Sequence, residues 1–174
     1  MIRIRASINP RTVELESLFR LDAAVIADAA RLADVPFRSA ERTIFATEGQ
    51  SGGAPWHPLA PATIARKRAA RRRGHPASLK ILHMTGRMRK AFGNLAGEHL
   101  AYGDRGPRGW RIVLGASGPP YAVFHAQGGP RLPVRPPINL TAANVADIRE
   151  GIARGMAPHI ARRIRAIQAW RGSR

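Results

Sequence analysis

Residues 49–97 carry ten lysines and arginines and not one aspartate or glutamate. Such a stretch cannot neutralise itself. Its cations must stay in water, meet carboxylates from elsewhere, or face a polyanion. Any helix within it therefore has at least one basic side. The carboxylates lie mostly upstream: residues 1–48 hold seven acids and seven arginines. Over the whole chain, 29 basic residues against 11 acidic ones leave a net charge of +18. DNA is the usual partner of such an excess. A GC-rich coding sequence also favours arginine over lysine, but it does not account for the scarcity of acids.

A chain of 174 residues can bury one core, so a single domain over 1–174 is expected. The absence of cysteine excludes disulfides and thiolate metal sites. No apolar run approaches the roughly 18–20 residues that cross a bilayer, so no membrane partner is expected. The alternation Met1-Ile2-Arg3-Ile4-Arg5 is unlike the continuous apolar core of a signal peptide, which favours a cytoplasmic product.

Hydropathy patterns suggest an α+β fold: a small antiparallel sheet, a long N-terminal helix, short basic helices and a kinked C-terminal helix. Ile2, Ile4, Ala6 and Ile8 alternate as in a half-buried strand, and Asn9-Pro10 turns it. From Thr12, residues Leu15 to Ala33 fall at helical spacing, with Pro36 expected to end or restart the helix. Phe37, Ala40, Ile44 and Phe45 form a second stripe. Residues 49–55 read as a flexible loop that, like the termini, orders on assembly. A helix starting at Pro61 ends before Gly74. Thr85-Gly86-Arg87 reads as a turn opening a short helix to Phe92. Strands are expected over 95–102 and 110–114, joined by a loop from Gly103 to Gly109. Residues 127–137 are too rich in glycine and proline for a helix or a central strand. Thr141 can cap a last helix with the stripe Val145, Ile148, Ile152, Met156, Ile160, Ile164 and Ile167, kinked at Pro158.

Catalytic patterns are missing. The six histidines have no metal-ligand spacing, and Glu98 and Asp104 are the only acids between 49 and 146. No serine sits in a nucleophile elbow. No catalytic residue, metal or cofactor is expected. The basic residues Arg66, Lys67, Arg68, Arg71, Arg72 and Arg73 are the main candidates for contact. They suit sequence-independent phosphate binding, a solvated face, or pairing with a neighbouring subunit's acids. Trp56 either closes the edge of a core or offers a face to a base. His125 is either placed at a subunit contact or held by backbone beside the glycine-rich loop.

Four ordered segments resemble a known family. Trp56-His-Pro-Leu-Ala-Pro-Ala-Thr-Ile-Ala-Arg-Lys67 resembles the "W-x-P-L-s-p-x-T-x-x-x-K" signature of phage virion morphogenesis proteins, the Mu-like tail completion group. Ile81-Leu-His-Met-Thr-Gly-Arg-Met-Arg89 is similar to the family's "I-L-x-x-T-G-x-L-R". Tyr121-Ala-Val-Phe-His-Ala-Gln-Gly-Gly129 resembles "Y-A-x-x-H-Q-x-G", with one residue between histidine and glutamine. Leu132-Pro-Val-Arg-Pro-Pro-Ile-Asn-Leu140 resembles "I-P-A-R-P-F-L-G-L", without the aromatic ring.

The resemblance implies a non-enzymatic virion protein of a tailed bacteriophage, at the head–tail junction. It implies a ring of copies, commonly six-fold, that joins the tail to the DNA-filled head. Other neck, connector and tail proteins would be partners, and genome DNA in the channel a further one. Segregated acids and bases suit the head-to-tail contact of a closed ring. Expected structural or interface residues are Trp56, Thr85, Gly86, Arg87, His125, Arg135 and Pro136, with Arg135 held by neighbouring prolines for an ion pair. The alternatives are a non-specific DNA-binding protein, another ring such as a tail terminator or head-closure protein, and a phage nuclease using Glu98 or Asp104.

Overall fold

The computed structural model describes residues 2–7, 22–75, 77–93, 98–106, 109–118, 120–130 and 132–172. Strand β1 (Ile2–Ser7) is followed by helix α1 (Ala23–Ala46), helix α2 (Pro61–Arg72) and helix α3 (Arg87–Gly93). Strands β2 (His99–Gly106) and β3 (Gly109–Ala116) come next, then helix α4 (Ala122–Gln127) and helix α5 (Ala142–Gly172). The sheet order is β1-β3-β2. Strands β2 and β3 are hydrogen-bonded neighbours only two residues apart in the chain, a spacing that fits antiparallel pairing. The fold is α+β. The readings at 8–21, at 95–97, for the side chains of residues 2–7 and for the Ile167 side chain lie outside the described residues. No described helix is long and apolar enough to cross a membrane.

The chain forms two compact units. The first comprises Met1–Arg3, Phe37–Leu100 and Gly115–Val145; the second comprises Ile4–Pro36, Ala101–Leu114 and Ala146–Arg174.

In the second unit, α1 begins after Asp22, whose carboxylate accepts the Val25 N–H at 3.0 Å. The helix read from Thr12 therefore does not run through Asp22. Nor does it stop at Pro36, which lies inside the continuous α1. An interior proline costs about 3 kcal/mol because the carbonyl four residues back loses its donor. Burial on the preceding face, at Val25, Ile26, Ala29, Ala30 and Ala33, offsets that loss. The carbonyl concerned, that of Leu32, faces Gly151 of α5, 2.7 Å from where a β-carbon would stand. Gly155 lies one turn further along, where a β-carbon would be 2.5 Å from the Ala29 Cα. The two helices thus cross with backbones in contact, and weak Cα–H···O contacts suit such a crossing. At one end His159 and Asp28 pair at 2.8 Å, and Arg163 reaches Asp22 at 3.5 Å. Helix α5 continues through Pro158.

The expected 103–109 loop is mostly strand. Glycine, aspartate and proline suggested a turn, but Asp104 and Arg111 form an ion pair across the two strands. Gly103 is in the strand because the Ile26 side chain occupies the space a β-carbon would need.

In the first unit, Phe37, Ile44, Phe45, Trp56, Met88 and Phe92 are buried. Phe45 meets Trp56 edge-on at 5.3 Å and stacks with Phe92 at 6.3 Å. Residues 49–55 contain a 3-10 turn, Gln50–Gly52, and Trp56 N–H closes the loop onto the Glu48 carbonyl at 2.7 Å. Thr141 caps α5 reciprocally with Asn144: each backbone N–H donates to the other's side-chain oxygen, at 3.1 and 3.2 Å.

Glu41 was not anticipated. It is fully buried, and neither carboxylate oxygen has a hydrogen-bond partner among the described residues. Burial pushes its pKa well above the usual carboxylate range. The folded chain holds a proton there that the unfolded chain releases. Glu41's contribution to stability is therefore fully present below the unfolded carboxyl range and declines as pH rises through the folded value. Glu41→Leu removes an unsatisfied buried group and should stabilise the neutral-pH protein by about 1–3 kcal/mol. Denaturant melts at pH 4 and pH 8 check this. The variant should gain more at pH 8, and equal or negative gains would refute the account.

Candidate functional site

Helix α2 starts with Pro61 at its first position, after an extended Ala60. Helical spacing puts Thr63, Lys67 and Ala70 on one side. That side turns inward: Lys67 is 5 % exposed. Its ammonium donates to the Lys80 carbonyl at 2.6 Å and to the His83 carbonyl at 3.4 Å. Lys67 is therefore not the surface contact expected of it. It ties α2 to the 80–83 turn, where Ile81 N–H also donates to Glu48 Oε1 at 2.8 Å. Arg66, Arg68, Arg71, Arg72 and Arg73 remain exposed.

Two distant segments hold one another reciprocally. The Trp56 indole N–H donates to the Pro136 carbonyl at 3.0 Å. In return, Arg135 Nε donates to the His57 carbonyl and Nη2 to the Pro58 carbonyl, both at 2.7 Å. Arg135 N–H also reaches the His125 carbonyl at 2.7 Å, fixing α4 to the same point. Arg135, 6 % exposed, thus makes backbone bonds where an ion pair was expected. A guanidinium's several donors in one plane suit adjacent carbonyls. Trp56 closes a core edge and offers no free face to a base.

Thr85 Oγ1 accepts the Arg87 N–H at 3.4 Å, and Gly86 with φ +79° opens α3, as the sequence suggested. Arg87 Nε donates to Glu98 Oε1 at 2.7 Å. Asp104 pairs with Arg111, so both acids considered for nuclease chemistry are engaged by arginine.

These segments enclose a groove of about 460 Å³ within the first unit. Leu59, Thr63, Arg66 and Lys67 come from the first segment, and Leu82 to Met88 from the second. Tyr121 and His125 come from the third, and Leu132 and Arg135 from the fourth. Among the described residues the lining mixes aliphatic side chains with cations and contains no carboxylate. Burial lowers the Lys67 pKa; Glu48 opposes the shift, while Arg66 and Arg135 add to it. Burial also lowers Arg135. His125 is pulled down by burial and then by Arg135. Its Nδ1 is buried without a hydrogen-bond partner among the described residues. His83 is lowered by burial and by Arg89, Lys67 and Lys80.

Such a surface is suited to holding an anionic, partly apolar group. Among the described residues no three His, Asp or Glu side chains gather as a metal-binding group. The sequence reading missed the apolar lining (Leu59, Leu82, Met84, Met88) and Glu48. The inward turn of Lys67 was missed too, because the carbonyls that receive its ammonium belong to residues 80 and 83. Compared with models of protein families, with curated proteins and with solved structures, the chain matches none of them.

Proposed function

We propose that the chain is a non-enzymatic structural subunit of a tailed-phage virion, forming a ring at the head–tail junction. The supporting observation is the convergence of the four resembling segments on one groove, where their polar groups hold backbone and one another. Negative-stain images of particles assembled without this protein test the reading. Separate full heads and finished tails are expected, whereas intact infectious particles would exclude a joining role.

A second reading, non-specific DNA binding, draws on the exposed arginines 68, 71, 72 and 73 of α2 and its C-terminal end. Each phosphate contact steepens the salt dependence of binding by about 0.9 in log–log slope. The structural reading expects weak binding of random duplex by the isolated chain. Tight binding that collapses between 50 and 200 mM salt would favour the second reading.

A further inference from the structure

Several cations of the 49–97 stretch gather around three hollows of the first unit, separate from the groove's apolar lining. A hollow of about 500 Å³ is bordered by Arg71, Lys80 and His83, with the hydroxyls of Ser78 and Thr85. The next, of about 380 Å³, shares Thr85 with it and adds Arg87, Lys90 and Glu98. The third, of about 160 Å³, shares Lys90 and adds Arg89 and Arg42. Each hollow thus adjoins the next through a shared bordering residue.

The cations are placed by their surroundings. Arg42, from α1, donates through Nε to the Gly93 carbonyl at 3.0 Å, which sets its guanidinium over the end of α3. A β-carbon at Gly93 would stand 3.2 Å from Arg42 Cγ and crowd it. Arg87 and Glu98 pair in the middle hollow, so Lys90 supplies the net charge there. His83 lies among the rest: burial first, then Arg89, Lys67 and Lys80 disfavour its charged form. Arg89 from the third hollow and Lys80 from the first therefore both act on one side chain. Arg42, Arg71, Lys80, Arg89 and Lys90 are exposed, so they repel one another through water until a polyanion screens them.

The linings also point to its class. Arginines, lysines and hydroxyls are the usual partners of phosphate oxygens. Among the described residues Leu79 is the one large apolar side chain of the three linings, whereas a protein partner is held by buried aromatic or aliphatic anchors. We propose that the three adjoining hollows form a track that holds the phosphodiester backbone of a nucleic acid, weakly and without regard to sequence. Of arginines 68, 71, 72 and 73 only Arg71 borders the track, so this surface is distinct from the rest of the basic face of α2. One copy binds in the non-specific range of about 10⁻⁴–10⁻⁶ M, and copies in a ring add their contacts.

Fluorescence anisotropy of the full-length chain with a labelled random-sequence duplex, from about 50 to 200 mM salt, tests the track. Arg89→Glu with Lys90→Glu should weaken binding at least about tenfold. It should also lower the log–log salt slope by about 2, since each phosphate contact contributes about 0.9. Arg68→Glu with Arg72→Glu makes the same change in net charge at residues that border none of the three hollows. That pair should weaken binding by less than about threefold, because at about 0.1 M salt charges beyond about 10 Å are largely screened. All four positions are exposed, so an unchanged urea midpoint certifies the fold. Should acids near the end of α3 unsettle that helix, Arg89→Gln with Lys90→Gln removes the charges without reversing them and should lower the slope equally.

Equal losses in the two pairs would reduce the attraction to net charge and overturn the inference. A larger loss in the α2 pair would move the contact to arginines 68 and 72, with the same consequence. Polyglutamate should compete poorly, since its charges lie about twice as far apart as those of duplex DNA. Displacement of the duplex by polyglutamate at equal charge concentration would make an acidic protein the occupant and overturn the inference as well. The track does not depend on the ring reading. Track binding together with intact particles in the absence of the protein would keep the track and remove the junction. Separated heads and tails, with equal losses in the two pairs, would do the reverse.

Discussion

Trp56→Ala is expected to destabilise the protein by about 3–5 kcal/mol, the range for emptying a large buried aromatic site. The indole is 5 % exposed and edge-on to Phe45, which itself stacks on Phe92, so the cavity would open at the end of the aromatic row, beside Phe45. The Pro136 carbonyl would lose its donor as well. Trp56→Phe separates the two contributions. It keeps most of the packing and should cost about 1 kcal/mol for the lost hydrogen bond, plus a smaller packing term. Urea melts followed by circular dichroism measure both. The Arg135 clamp on His57 and Pro58 would remain, so the groove should loosen before it disappears. A Trp56→Ala loss below about 1 kcal/mol would mean that the 56–58 and 135–136 segments are not mutually dependent.

Gly155→Val should cost about 3 kcal/mol through a different mechanism. Its β-carbon would stand 2.5 Å from the Ala29 Cα and 2.7 Å from the Asp28 carbonyl oxygen. Both obstacles are backbone, so a rotamer change cannot relieve them and α5 must move off α1. Overpacking of this kind typically costs about 1–3 kcal/mol, more where backbone must shift. For a chain of this size about 3 kcal/mol lowers the melting midpoint by roughly 6–12 °C. The side chains of His159 and Asp28 would be drawn apart at the same time. Gly155→Ala should cost less but retain the sign. Calorimetry on both variants checks the order, and a neutral Gly155→Val would place the helices farther apart than described.

Much of the fold was legible in the sequence because it rests on local rules. The β1 strand, proline at the start of α2, the Thr85-Gly86 turn and the Thr141 cap each depend on a few adjacent residues. The misread features depend on residues far apart in the chain. Pro36 reads as a helix breaker, yet α1 continues through it because the faces on either side of it are buried. Gly103 and Asp104 read as a loop until Ile26 and Arg111 are placed beside them. Glycines 151 and 155 lie outside the apolar stripe read from the sequence, yet they are where α5 touches α1. Ile164 of that stripe is 43 % exposed.

The acid-free stretch 49–97 determined by itself that its ten cations could not be matched internally. That follows from composition alone, because no arrangement of those residues supplies a negative charge. Which cations would be buried was decided only by the tertiary structure. Lys67 went inside since the carbonyls of Lys80 and His83 were there to receive it, while the arginines of α2 stayed in water; outside that stretch, Arg135 was buried against the carbonyls of residues 57 and 58. Hydrogen-bond acceptors from distant segments are invisible to periodicity and spacing. They are what turned a basic helix into one wall of a groove.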